Sequence, residues 1–82
     1  MESLLRKERL KANLSIRGLA KAVKTSPSEI LRLENYSRAG ELYTWVKIWN
    51  YFKWDVDYFV EIIMLQVEIV KLKGGNENEN KK

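Results

Sequence analysis

The chain has 82 residues, 45% hydrophobic and 32% charged, with no cysteine, no histidine and a formal net charge of +4. That is room for one small domain, and it excludes disulfides, thiolate metal sites and histidine-based catalysis. The bases are concentrated: residues 1–40 hold nine Lys and Arg against four Asp and Glu, while residues 41–73 hold four against five. A basic half of this kind suits a polyanion such as nucleic acid, and a solvated helical surface would share the composition.

Apolar residues recur at helical spacing almost throughout, so an all-α chain of five helices is expected. The first runs from about Ser3 to Ala12 with Leu4, Leu5 and Leu10 inward, and Asn13 is suited to end it in the left-handed conformation. The second is capped by Ser15 and runs to about Lys24, burying Leu19, Ala20 and Val23. Only Lys24 and Thr25 separate it from the third, which forces a steep crossing.

The third helix has the clearest start. Ser26 can accept from the third amide while Glu29 reaches back, a capping box, and Pro27 occupies the first helical position, where no amide is needed. Ile30 and Leu33 then face inward. The fourth helix, about Glu41 to Phe52, places Leu42, Trp45, Val46, Trp49 and Phe52 on one stripe, leaving Tyr43, Tyr51 and Trp54 off it.

Asp55 can cap a fifth helix that begins at Val56, extends to about Lys73 and stops at Gly74 and Gly75. It carries two apolar stripes: Val56, Val60, Ile63, Val67 and Val70 on one side, and Ile62, Leu65, Ile69 and Leu72 on the other. A helix apolar on two faces needs two partners, so one stripe is expected to cover its own domain and the first-named to form a homodimer interface within residues 56–73. The alternation of Leu65, Val67 and Ile69 with Gln66 and Glu68 also permits a strand there. Residues 74–82 contain no apolar side chain and are expected to be a disordered tail to a domain spanning residues 1–73.

The N-terminus lacks an apolar leader core, and the stretch from Tyr58 to Val70 is interrupted by Glu61, Gln66 and Glu68. A cytoplasmic protein with no membrane association is the expectation. Asp55 and Asp57 are the closest carboxylates, but at the start of a helix they serve as cap and dipole partner. With no nucleophile, phosphate-binding glycine loop or metal-ligating cluster beside them, no enzymatic activity and no cofactor is expected.

The run Arg9, Leu14, Ser15, Leu19, Ala20, Ile30, Arg32, Leu33, Glu34, Asn35, followed by Arg38, Leu42, Thr44, Lys47 and Asp55, resembles the Cro and phage-repressor (XRE-type) helix-turn-helix family over roughly residues 4–60. The resemblance implies a compact five-helix repressor-like domain with its helix-turn-helix at about residues 15–35 and a structural ion pair between Arg9 and Glu34. It also implies a small transcriptional regulator of phage or mobile-element type, binding double-stranded operator DNA as a dimer in the bacterial cytoplasm. Lys24, Tyr36 and Lys53 stand where family members usually have glycine at positive φ, so these turns are either strained or rebuilt. Ile16 replaces the usual phosphate-anchoring glutamine, and Pro27, Ser28 and Glu29 replace polar reading residues. The remaining DNA-binding candidates are Ser26, Ser28 and Arg32 on the third helix, with Arg17, Lys21, Lys24, Arg38 and the Ser37 backbone as phosphate anchors. Arg32 alone has a bidentate route to guanine.

An alternative keeps the scaffold but works through protein contact, as a co-repressor, antirepressor or antitoxin bound to a second regulatory protein. Its candidate surface is Ile16, Pro27, Tyr36, Tyr43, Tyr51 and Trp54, joined by Tyr58.

Overall fold

A computed structural model describes residues 3–80, with side chains through Lys73. It contains five α-helices, α1 (Leu4–Lys11), α2 (Ile16–Ala22), α3 (Pro27–Glu34), α4 (Leu42–Phe52) and α5 (Val56–Asn80). Among the described residues there is no strand, so the strand alternative for the last segment is replaced by helix. The expected stop at Gly74 and Gly75 is also replaced, because α5 carries through them to Asn80. Two glycines lower helix propensity by about 1 kcal/mol each without forbidding the conformation. The expected tail, residues 74–82, has its side chains, and Lys81 and Lys82 entirely, outside the described residues.

Local chemistry sets each start. Ser3, Ser15 and Ser26 are in extended backbone, and each Oγ accepts from the amide three residues on, at 2.9, 2.9 and 3.1 Å. Asp55 Oδ1 accepts from the Tyr58 amide at 2.8 Å. The ends follow one pattern. After α1, α2 and α3 the residues Asn13, Lys24 and Tyr36 take φ of 59°, 59° and 58°, and the next amide turns back to the helix: Leu14 N to Arg9 O, Thr25 N to Ala20 O and Ser37 N to Arg32 O, at 3.1, 2.9 and 2.9 Å. These are Schellman closures. Lys53 closes α4 in the same left-handed region. The turns at Lys24, Tyr36 and Lys53 are therefore kept in the conformation that favours glycine, with larger side chains bearing the strain.

The core is Leu5, Leu19, Ala20, Val23, Ile30, Leu33, Trp45, Ile48, Phe59 and Ile62. Two expected core positions are corrected: Leu10 and Leu42 are exposed, Leu42 by 68%. In α4 the inward face is Thr44, Trp45 and Ile48, with Val46, Trp49 and Phe52 only partly covered. This is roughly a quarter-turn from the expected stripe at 100° per residue. Two indole hydrogen bonds accompany that rotation, Trp45 Nε1 to the Ala39 carbonyl and Trp49 Nε1 to the Trp54 carbonyl, both at 2.7 Å. Trp49 also stacks on Phe59 with ring centroids 4.3 Å apart.

Gly40, at φ +86°, lets the connection into α4 pass against the core. A Cβ there would lie 2.6 Å from Leu33 Cδ2 and 2.9 Å from Trp45 Nε1.

Candidate nucleic-acid interface

The pair α2 and α3 packs through Leu19, Ala20, Val23, Ile30 and Leu33, all buried. That fixes which sides face out. Arg17 and Lys21 on α2 and Lys24 in the turn after it are exposed. On α3 the exposed side is Ser28, Leu31, Arg32 and Asn35, one helical face. Leu31, 46% exposed, was not among the residues expected from sequence. Its apolar character reads as core until α3 is oriented by Ile30 and Leu33.

The rear of α3 is held by an ion pair. Arg9 Nε and Nη2 donate to Glu34 Oε2 and Oε1 at 2.6 and 3.0 Å, and Arg9 Nη1 donates to the Leu14 carbonyl at 2.9 Å. Both side chains are almost fully buried. The hydrogen bonds to Glu34 raise the guanidinium pKa, outweighing burial. The bond to Leu14 joins the end of α1, the α1–α2 turn and the end of α3 through one side chain.

Several candidate contacts are already engaged. Ser26 Oγ accepts the Glu29 amide. The Glu29 carboxylate does not complete a capping box; its Oε1 accepts from Arg38 Nη1 at 3.1 Å, because the chain after α3 brings a full guanidinium charge within reach. Arg38 remains half-exposed, and Glu29 is largely covered. The Ser37 backbone is not a free donor, as its amide closes α3 on the Arg32 carbonyl. Lys24 keeps its side chain exposed while its carbonyl accepts from Lys47 Nζ at 2.9 Å. Lys47 also lies over the Tyr43 ring at 4.8 Å. Arg17, Lys21, Lys24, Ser28 and Arg32 stand open to solvent.

The residues expected as a protein-binding surface are divided between the domain's interior and its outside. Tyr36 is 6% exposed. Trp54 is half-buried, stacked on Phe52 and donating Nε1 to Glu8 Oε1 at 3.2 Å. Tyr58 donates its hydroxyl to Glu8 Oε2 at 2.9 Å. Ile16 is half-buried against the core. Pro27, Tyr43 and Tyr51 are exposed. The physical reason is that rings beside the turn between α4 and α5 complete the domain by covering Phe52 and Glu8.

Burial pushes the Tyr58 hydroxyl up, and its hydrogen bond to the Glu8 carboxylate pushes it further, to about 12. Burial would raise Glu8 too, but the hydrogen bonds from Tyr58, Lys11 and Trp54 outweigh it and hold the carboxyl below its ordinary value.

Of the expected dimer stripe, Val56, Val60 and Val67 are exposed, and Ile63 and Val70 are half-buried. Met64, beside them, is 65% exposed. On the covered side, with Phe59 and Ile62, Gln66 is buried against the end of α3. Its Nε2 donates to the Leu33 and Arg38 carbonyls, each at 2.9 Å. Lys73 Nζ donates to the Asn35 carbonyl at 2.7 Å, placing a cation at the C-terminus of α3. Neither contact is visible in the sequence, where Gln66 reads as a polar interruption.

Among the described residues no group of three or more acidic residues could hold a metal ion, and no helix is long and apolar enough to cross a membrane. Set against known proteins, the chain matches no family model, no curated protein and no solved structure.

Proposed function

We propose that the protein is a small transcriptional regulator of phage or mobile-element type that binds operator DNA through α2, the turn at Lys24 and α3. In this reading α3 enters the major groove, and the protein acts as a homodimer in the cytoplasm of a bacterial cell. The observation that carries the reading is the outer face of α3: Ser28, Leu31, Arg32 and Asn35 are exposed, as are Arg17 and Lys21 on the neighbouring α2 and Lys24 in the turn between the two helices. Arg32 offers two parallel donors to guanine, Asn35 a donor and an acceptor to adenine, and Leu31 an apolar contact to a thymine methyl. Arg17 and Lys21 supply the sequence-independent phosphate attraction. Glu29, beside Ser28 in the sequence, has its charge matched by Arg38.

The test is titration of mixed-sequence duplex DNA with the protein across a salt series, beside Arg32→Glu and Lys21→Ala. Binding that weakens steeply with salt, a tight subset of sequences lost in Arg32→Glu, and a salt slope reduced by about one in Lys21→Ala are expected. No binding at about 50 mM salt, where non-specific contact is already strong, removes the reading. The exposed Leu31 and Pro27 then favour the protein-directed alternative, a co-repressor, antirepressor or antitoxin docking a second regulatory protein on the α3 face.

A further inference from the structure

Arg38 is held at both of its ends. On the backbone side, the preceding amide, that of Ser37, donates to the Arg32 carbonyl at 2.9 Å, and the Arg38 carbonyl accepts from Gln66 Nε2 at 2.9 Å. Gln66 is only 3% exposed and belongs to α5, outside the α2–α3 pair. At the tip of the side chain, Nη1 donates to Glu29 Oε1 at 3.1 Å. Glu29 stands in the first turn of α3 and is largely covered, whereas the Arg38 side chain is 51% exposed.

The bond to Glu29 uses one of the five N–H groups of the guanidinium. Among the described residues the Nε and Nη2 groups of Arg38 have no acceptor. Those two groups form an edge whose parallel donors match two oxygens of one phosphate.

We propose that Glu29 and Gln66 are positioning residues, which together hold Arg38 so that its Nε and Nη2 edge receives a phosphate of the operator backbone. This rests on the DNA-binding reading and gives Glu29 a part in it, although its charge alone repels phosphate. A half-exposed pair of this kind contributes little to folding. Its larger effect is on the arginine. A free arginine gives up its rotamer freedom when it binds. Arg38 has given up much of it before DNA arrives, and a contact made by a pre-set group keeps more of its binding free energy. By contrast, the side chains of Arg17, Lys21 and Arg32 have no hydrogen bond or ion pair among the described residues.

The test is a double-mutant cycle read by binding to mixed-sequence duplex DNA at about 50 mM salt. Glu29→Gln and Glu29→Ala remove the same charge, but only the amide keeps an oxygen that can accept from Arg38. Glu29→Gln should therefore bind roughly fivefold tighter than Glu29→Ala, the equivalent of one hydrogen bond. In the Arg38→Ala background the two substitutions should bind alike, and their melting temperatures should agree in both backgrounds. Equal binding with Arg38 in place would mean that Glu29 acts through its charge alone, which overturns the proposal. A gap that persists in Arg38→Ala overturns it too, because the amide would then act without the arginine.

Gln66→Leu, measured well below its melting temperature, tests the backbone end. It should weaken binding several-fold alone and add nothing in Arg38→Ala; additive losses overturn the part assigned to Gln66. The cycle at Glu29 does not depend on that variant. Absence of binding by the wild-type chain removes the DNA reading and this proposal with it. Binding by wild type with no difference between Glu29→Gln and Glu29→Ala removes this proposal alone.

Discussion

Gln66 on α5 is hydrogen-bonded to the backbone of Arg38, 28 residues earlier, with its Nε2 2.9 Å from the Arg38 carbonyl oxygen and 2.9 Å from that of Leu33. One buried amide thereby holds the last helix against the end of α3 and the loop that follows it. The Leu33 carbonyl keeps a second donor, the Tyr36 amide at 3.2 Å. Gln66→Leu keeps the volume and removes the donor, leaving the Arg38 carbonyl without it. The expected cost is about 1–3 kcal/mol, the usual penalty for stranding a covered polar group. Urea unfolding of the two chains checks it, and equal midpoints would show that solvent replaces the amide at no cost.

The Arg9–Glu34 pair leads to a second expectation. Its members are fully hydrogen-bonded and nearly closed to water, so removing one leaves a buried charge with no counter-charge. Glu34→Ala should destabilise the domain by about 3–5 kcal/mol. The double replacement Arg9→Met with Glu34→Leu, which removes both charges, should recover a large part of that loss. Thermal melts of the single and double variants decide it. A double variant no more stable than Glu34→Ala would mean that the third bond, from Arg9 to the Leu14 carbonyl, dominates.

Much of the fold was legible because it is local. Caps at Ser15, Ser26 and Asp55, the proline at the start of α3 and the left-handed Asn13 are each decided within a few residues. The inward faces of α2 and α3 were legible too, since the short turn at Lys24 leaves them one way to pack. What could not be read is non-local. The rotation of α4 goes with tryptophan hydrogen bonds to carbonyls five and six residues away, the exposure of Leu10 and Leu42 depends on which neighbours arrive, and Gln66 finds its acceptors across the domain. At the candidate interface, Arg32 and the α2 cations were read from sequence, whereas Leu31 and the engagement of Ser37 and Arg38 required the folded chain.

The left-handed positions separate backbone strain from packing. Lys24 and Lys53 are exposed at φ 59° and 58°, and glycine there relieves a steric cost of about 1–2 kcal/mol while adding unfolded-state entropy worth about 0.5–1 kcal/mol. Lys24→Gly and Lys53→Gly should therefore each stabilise by about 0.5–1 kcal/mol. Tyr36 has the same φ but is buried, and Tyr36→Gly should lose about 3 kcal/mol or more through the emptied space. Chemical denaturation of the three variants gives the signs. Stabilisation by Tyr36→Gly would mean that the ring contributes little to the core.

The bond between Tyr58 and Glu8 makes stability depend on pH at both ends. Tyr58 has its pKa raised to about 12 by burial and by the Glu8 carboxylate, so the folded state favours the neutral hydroxyl. That contribution is complete below the unfolded value of about 10 and is lost as pH rises through the folded value. Glu8 is shifted downward, so its contribution is complete above its unfolded value and is lost as pH falls through the lower folded one. Tyr58→Phe should lower stability at neutral pH by about 1 kcal/mol and flatten its fall between about pH 10 and about 12. It should also reduce the acid-side loss, because Glu8 would lose one of the donors that favour its charged form. Glu8→Gln should abolish that part of the acid-side loss outright and lessen the alkaline one. Unfolding free energies across the pH range, with tyrosinate absorbance to follow Tyr58, measure both limbs. A Tyr58→Phe chain whose alkaline limb matches wild type would show that another group governs it.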